Sequence, residues 1–265
     1  MAVRNPNFDK RRDTLESEAG YDSPLQVLFL DGEALVVDKP AGMPVTPTKS
    51  GEVGVEWLAH DMRFGFKRPP LAVHRLDRDT SGCLLMARNS GALKRFGSAF
   101  AEREVHKVYL GIVAGAPEDE AGEIAMPLDK TSTEALGWWM HPDRNGKAAI
   151  TRWRVIAQHD GHSLIAFVPI TGRTHQIRAH AYFALGLPLL HDPVYRAGRS
   201  AKPADSKGDT RTMLHSWHLE FARSGKNDVY ATAPLPRDFV NLGFEDDCVA
   251  PSLLAELLAE PKDHG

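Results

Sequence analysis

Short apolar runs bounded by turn residues recur between residues 25 and 233, and they do not alternate regularly with helical segments. A doubly wound parallel sheet needs a crossover helix after each strand. The pattern therefore excludes that architecture and points to an α+β fold built on a mixed, mainly antiparallel sheet. The strand candidates are 25–30, 34–37, 71–74, 83–87, 105–113, 148–157, 163–169, 213–221 and 229–233. Asp31-Gly32 closes the first pair as a hairpin, and His159-Asp160-Gly161 joins 148–157 to 163–169. Within 105–113, Val105, Lys107, Tyr109 and Gly111 share one face, with His106, Val108, Leu110 and Ile112 on the other.

Four helices are expected from the apolar spacing. The first covers 53–63, with Val53, Trp57 and Leu58 on one face; the second runs from a Ser90 cap to about residue 104 and carries Leu93, Phe96, Phe100 and Ala101. The third covers 174–185, capped by Thr174 and closed by Gly186, and buries Ile177, Ala181, Ala184 and Leu185; a last one covers 252–258. Pro40, Pro44 and Pro47 make 39–47 an irregular loop, and the acidic stretch 114–130, interrupted by Pro117 and Gly122, reads as a surface excursion. Residues 1–24 read as a polar arm, 25–258 as one catalytic unit of one or two lobes, 196–210 as a polar, mobile basic loop and 259–265 as a tail.

A chain of 265 residues with 42% hydrophobic content buries a core without needing disulfide or metal staples. No apolar run approaches the roughly 18 residues of a membrane span, and the first residues lack the apolar core of a secretory signal. Two cysteines allow at most one disulfide. Together these favour a reduced, cytoplasmic compartment. The net charge of -3 argues against nucleic acid until the charges are located. Residues 61–110 carry ten Lys and Arg against five Asp and Glu, 141–180 six against two, and 195–215 five against two. A positive face can therefore coexist with a negative total.

Charge gathers on two short segments. His74-Arg75-Leu76-Asp77-Arg78-Asp79-Thr80-Ser81-Gly82 sets an imidazole, two guanidiniums and two carboxylates between two strand candidates. It reads either as a polar turn or as a carboxylate kept ionised by arginine for nucleophilic or base chemistry. Thr171-Gly172-Arg173-Thr174-His175-Gln176-Ile177-Arg178-Ala179-His180 opens a helix with Arg178 in its first turns. A cation there opposes the helix dipole, and a carboxylate or phosphate partner removes the conflict. His175 and His180 are five apart and share no helical face, so no metal site is expected. Lys39 lies in the proline-bound loop, where it faces solvent or a phosphate, and Tyr109 is either core packing or a surface on which a base stacks. There is no G-x-G-x-x-G, Walker or G-x-S-x-G pattern, so neither a nucleotide cofactor nor serine hydrolysis is expected.

The His74–Gly82 segment resembles the central motif of the RluA-type RNA pseudouridine synthases. The resemblance extends, in the family's order, to Asp38-Lys39-Pro40-Ala41-Gly42, Lys107-Val108-Tyr109, Thr171–His180, Asp192-Pro193-Val194-Tyr195 and Leu214-His215. It implies a mixed sheet bisected by an active-site cleft and flanked by helices and loops. It also implies isomerisation of selected uridines in structured RNA, 23S rRNA or tRNA or both, without cofactor or metal. By that resemblance Asp77 is the reacting carboxylate, Tyr109 packs on the target base, and Arg178 pairs with Asp77, with Arg173 as second choice. Leu214 lies beside the uracil, Arg75 fills the space a flipped nucleotide leaves, His175 contributes to substrate binding, and Lys39 belongs to the site rim or the RNA backbone. With about 24 residues before the first strand, no S4-like module is expected, so selection falls on the catalytic unit, expected as a monomer. The competing reading is a non-catalytic RNA-binding or ribosome-assembly protein on the same scaffold, and a small-molecule hydrolase or lyase is the weaker third.

Overall fold

The computed structural model describes residues 23–47, 52–133, 137–196 and 210–259; most of the N-terminal arm, of the basic loop and of the C-terminal tail lies outside them. A ten-stranded sheet organises the chain. Its first half comprises β1 (Val27–Leu30), β2 (Ala34–Lys39), β3 (Leu71–Ala72) and β4 (Ser81–Ala87). The second comprises β5 (His106–Ala114), β6 (Ala121–Ala125), β9 (Ile150–His159), β10 (His162–Pro169), β11 (Leu214–Phe221) and β12 (Val229–Thr232). The order is β1-β2-β4-β11-β5-β10-β9-β6, with β3 beside β4 and β12 beside β11. Every pairing is antiparallel except β4 with β11, where His215 faces Ser81 and Ser216 faces Gly82. The mixed, mainly antiparallel α+β fold expected from the sequence is the one observed.

Only glycine fits at that parallel seam. Gly82 has φ of +103°, and a Cβ there would stand 2.2 Å from the carbonyl oxygen of Ser216. The two halves of the sheet approach each other through a position with no side chain.

Strand parity distributes the core over both faces. Cys83, Leu85 and Ala87 meet α2 (Ser90–Ala101) through Phe96, while Leu84 and Met86 pack with Val55, Ala59 and Met62. In the second half Val108, Leu110 and Ile112 lie under α4 (Arg237–Val240) and α5 (Pro251–Leu258). Val113, Ile165 and Phe167 lie under Ile177 and Ala181 of α3 (Gln176–Phe183), and Tyr109 is packed against that cluster. Because Tyr109 also touches the cluster of Leu76 and Leu84, it bridges the two halves on the α3 face.

Several local expectations are corrected. The first helix, α1, is only Val55–Leu58, and its buried line is Val55, Ala59 and Met62, whereas Val53 and Trp57 are exposed. The alternative four-and-three spacing won because Gly54 docks its backbone against Val45 and Pro44. Asn89 rather than Ser90 caps α2, its side chain accepting from the Ala92 N–H at 2.8 Å. Helix α3 starts at Gln176 behind His175, which adopts φ of +52° and makes no side-chain cap, so Thr174 is not the cap. The acidic stretch contains β6 at the sheet edge, where the absent side chain of Gly122 leaves room for the Trp153 indole. It then enters β7 (Leu128–Thr133), which pairs with β8 (Gly137–Pro142) as a separate two-stranded sheet.

Candidate active site

The turn before β4 carries Asp77, and the first turn of α3 carries Arg178. Arg178 Nη1 donates to Asp77 Oδ2 at 3.0 Å, while its Nε and Nη2 donate to Asp192 at 2.7 and 2.9 Å. All three guanidinium nitrogens are thereby directed, and the dipole conflict expected at this position is met by two carboxylates. Asp192 is fully buried and also accepts from the N–H groups of Val194 and Tyr195 at 2.8 and 2.9 Å. Arg178, 6% exposed, is held over the Tyr195 ring at 5.4 Å from its centroid. The pair of carboxylates raises the Arg178 pKa against its burial, so it stays cationic throughout the working range.

His175 completes the contact shell of Asp77. Its Nε2 is 3.6 Å from Asp77 Oδ2, and its Nδ1 is 3.3 Å from the Tyr195 hydroxyl. Burial pushes Asp77 up, but the combined pull of His175, Arg178 and Arg75 on its charged form brings it below the ordinary carboxylate value. Burial, assisted by the charge of Arg178, pushes His175 down to about 4, so its ring is neutral at pH 7. Arg178, in direct contact, and Arg75 are then the charges that keep Asp77 ionised. Tyr109, on β5, one strand beyond β11 from β4, is pushed up to about 12 by burial and is a neutral phenol. It shares a cluster with Leu214, the first residue of β11, which is buried.

Two further cations shape the turn. Lys39 is fully buried, and its Nζ donates to the carbonyls of Pro40, Met43 and Arg78 at 2.8, 2.8 and 3.0 Å. It therefore ties the proline loop to the Asp77 turn, and the expected place at the rim or on an RNA phosphate is corrected. An ammonium with all three protons on main-chain carbonyls has none left for a phosphate. Arg211 donates to the carbonyls of Asp79 and Leu214 at 3.1 and 2.8 Å and pairs with Asp238 at 2.6 Å. The Asp77 turn is thus fixed to the start of β11.

Of the residues singled out from the sequence, Asp77, Arg178, His175, Tyr109 and Leu214 converge, and Arg75 stands exposed at their edge. Arg173 does not join them; its Nε donates to the Ala148 carbonyl at 3.0 Å, and Arg178 takes the place beside Asp77. Sequence reasoning quoted Asp192 and Tyr195 within a motif but gave them no role, and it missed Arg211 and Trp138, whose ring lies on His175 with centroids 4.7 Å apart. Asp192 had a usable signal, since an arginine at a helix start demands a carboxylate from elsewhere. Among the described residues no group of three or more His, Cys, Asp or Glu is placed to hold a metal.

A carboxylate kept charged in a partly desolvated site, beside a neutral phenol and an aliphatic wall, suits a reaction at a planar base and its sugar. Comparison with known proteins agrees. A family model described as RNA pseudouridylate synthase matches residues 33–182. An uncharacterized RNA pseudouridine synthase of Zymomonas mobilis is 47% identical over 219 residues, covering 83% of this chain and 97% of that protein. Ribosomal large subunit pseudouridine synthase D of Xanthomonas campestris is 33% identical over 245 residues, covering 87% of this chain and 72% of that one. The solved structure of human RNA pseudouridylate synthase domain containing 1 matches with a TM-score of 0.69 at 26% identity, covering 91% of this chain and 97% of that one. The motifs, the site they assemble and these relatives agree: the chain belongs to the RluA-type RNA pseudouridine synthase family.

Proposed function

We propose that this protein isomerises selected uridines of large-subunit ribosomal RNA to pseudouridine, with Asp77 as the reacting carboxylate. The observation that carries this reading is the Asp77–Arg178–Asp192 arrangement, in which a buried arginine, fixed by one carboxylate, keeps the other ionised. Relatives described as ribosomal large subunit pseudouridine synthases support the choice of RNA.

The reaction breaks the N1–C1' bond, turns the uracil within the pocket and joins C5 to C1'. The proton on C5 is then lost and N1 gains one, so no atom is added overall. Asp77 serves either by attacking C1' or by taking a proton from C2', and both routes require it charged. The uridine must leave its stack to reach it, at a cost of about a few kcal/mol, and less where it is already unpaired. Tyr109 and Leu214 wall the base, Arg75 fills the space it vacates, and His175, neutral at pH 7, positions Asp77 beside the ribose.

The test is to incubate the purified protein with ribosomal and transfer RNA from cells lacking its gene and to map pseudouridine at single-nucleotide resolution. Pseudouridine at one or a few large-subunit positions, absent from the untreated RNA, is the expected result. Product only in tRNA overturns the substrate assignment. No product in either RNA favours the non-catalytic reading.

A further inference from the structure

Strands β7 and β8 stand apart from the central sheet, yet they reach the candidate site. Trp138 of β8 leaves 42% of its surface exposed, although it is among the most apolar side chains a protein can bury. Its indole lies on the His175 ring, centroids 4.7 Å apart and planes inclined by 31°. His175 in turn lies 3.6 Å from Asp77. One side chain therefore separates the exposed indole from the reacting carboxylate.

The hairpin also supplies charge. Lys130 of β7 faces Met140, and Trp138 faces Ser132, so Lys130 and Trp138 are diagonal neighbours. The Lys130 ammonium lies 4.8 Å from the indole centroid, on an exposed and flexible stem. The hairpin is anchored from below, where Met140 is buried and exchanges bonds through its N–H and C=O with the Tyr195 hydroxyl at 3.0 and 3.2 Å. Tyr195 packs against Arg178 as well. The indole is thus held in register with the site, while the cation beside it is free to swing.

We propose that Trp138 is a stacking platform for the RNA nucleotide next to the target uridine, with Lys130 taking that nucleotide's phosphate. This rests on the reading of the site as a pseudouridine synthase centre. A base stacking on the indole displaces the Lys130 ammonium, which moves to the adjacent phosphate. Recognition by stacking tolerates any base but requires that the neighbour be unpaired. The protein would then select uridines in loops or bulges.

Trp138→Ala, Trp138→Phe and Lys130→Gln are assayed as full-length proteins on the RNA in which the wild type forms pseudouridine, with KM and kcat separated. Trp138→Ala is expected to raise KM about tenfold, the order of one lost base–aromatic stack, with kcat unchanged. Trp138→Phe keeps most of the affinity. Lys130→Gln raises KM and lowers the slope of log affinity against log salt by about one. An unchanged KM in Trp138→Ala overturns the proposal, and so does an equal loss of kcat in the Ala and Phe variants, which would mark the indole as a support for His175. If Trp138→Ala melts below the wild type, Phe and Gln decide alone. A wild type that forms no pseudouridine defeats the functional reading and this inference with it; an active wild type indifferent to all three substitutions defeats this inference only.

Discussion

Replacing Arg178 by Met takes the cation from between two carboxylates. Asp192 suffers most, because its side chain is fully buried and loses the bonds at 2.7 and 2.9 Å, keeping only the Val194 and Tyr195 N–H donors. Asp77 retains 23% exposure and can recover water. Stranding one buried charge costs about 3–5 kcal/mol, which for a chain of this size lowers Tm on the order of 10 °C. Adding Asp192→Asn removes that charge while leaving an amide oxygen for the same two N–H groups, so about 2 kcal/mol should return. Activity should not return, since Asp77 then has burial pushing its pKa up and only the exposed Arg75, with no guanidinium in contact, pulling it down. Arg178→Lys keeps a charge but cannot direct three bonds at two carboxylates, so it should fall between. The assay is urea unfolding at pH 7 with the m-value checked for constancy, alongside pseudouridine formation. An Arg178→Met protein as stable as the wild type, or a double variant less stable than the single one, would refute the reasoning.

Three other outcomes follow from the same geometry. Gly82→Ala places a Cβ 2.2 Å from the Ser216 carbonyl oxygen at φ of +103°, and should cost about 3 kcal/mol or more, seen as loss of soluble protein or a large fall in the urea midpoint. Lys39→Met should loosen the Asp77 turn, lowering stability by about 2 kcal/mol and slowing turnover, while RNA affinity and its salt slope stay unchanged; a slope reduced by one would mean a phosphate contact after all. Burial pushes His74, His175 and His215 down to about 3, 4 and 3. Between their unfolded value near 6.5 and these folded values the unfolded chain binds protons that the native protein does not. Stability should therefore fall as pH falls from about 6.5 toward 4, by on the order of a few kcal/mol. Asp77 has its pKa lowered, so its contribution is present above its unfolded value near 3.9 and is lost only below that. Urea midpoints that do not move between pH 7 and 5 would contradict the histidine argument.

The fold class and much of the site could be read from residues alone, for identifiable reasons. Period-two alternation put Tyr109 on one face of its strand, and the structure finds that face under α3, toward Arg178. The demand of Arg178 for an anion was likewise visible, but its partners lie 101 and 14 residues away, and spacing does not reveal contacts across a sheet. Lys39 was misplaced because charge is legible in a sequence and burial is not; its three carbonyl partners belong to two loops that only the fold brings together. The β7–β8 pair escaped notice because Lys130, Ser132 and Thr133 are polar where a strand in a central sheet would alternate. Trp138 escaped with it. The helix starts missed by one or two positions, since Asn89 and His175 set them through backbone geometry and a single side-chain bond, while the first helix ends five residues before the expected position.

The most direct measurement is single-turnover pseudouridine formation by Asp77→Asn on RNA that the wild type modifies, with RNA affinity measured on the same preparation. The amide keeps the shape of the carboxylate and can still accept from Arg178, so affinity should be retained while no product forms. Product at a rate near that of the wild type would contradict the assignment of the reaction to this carboxylate.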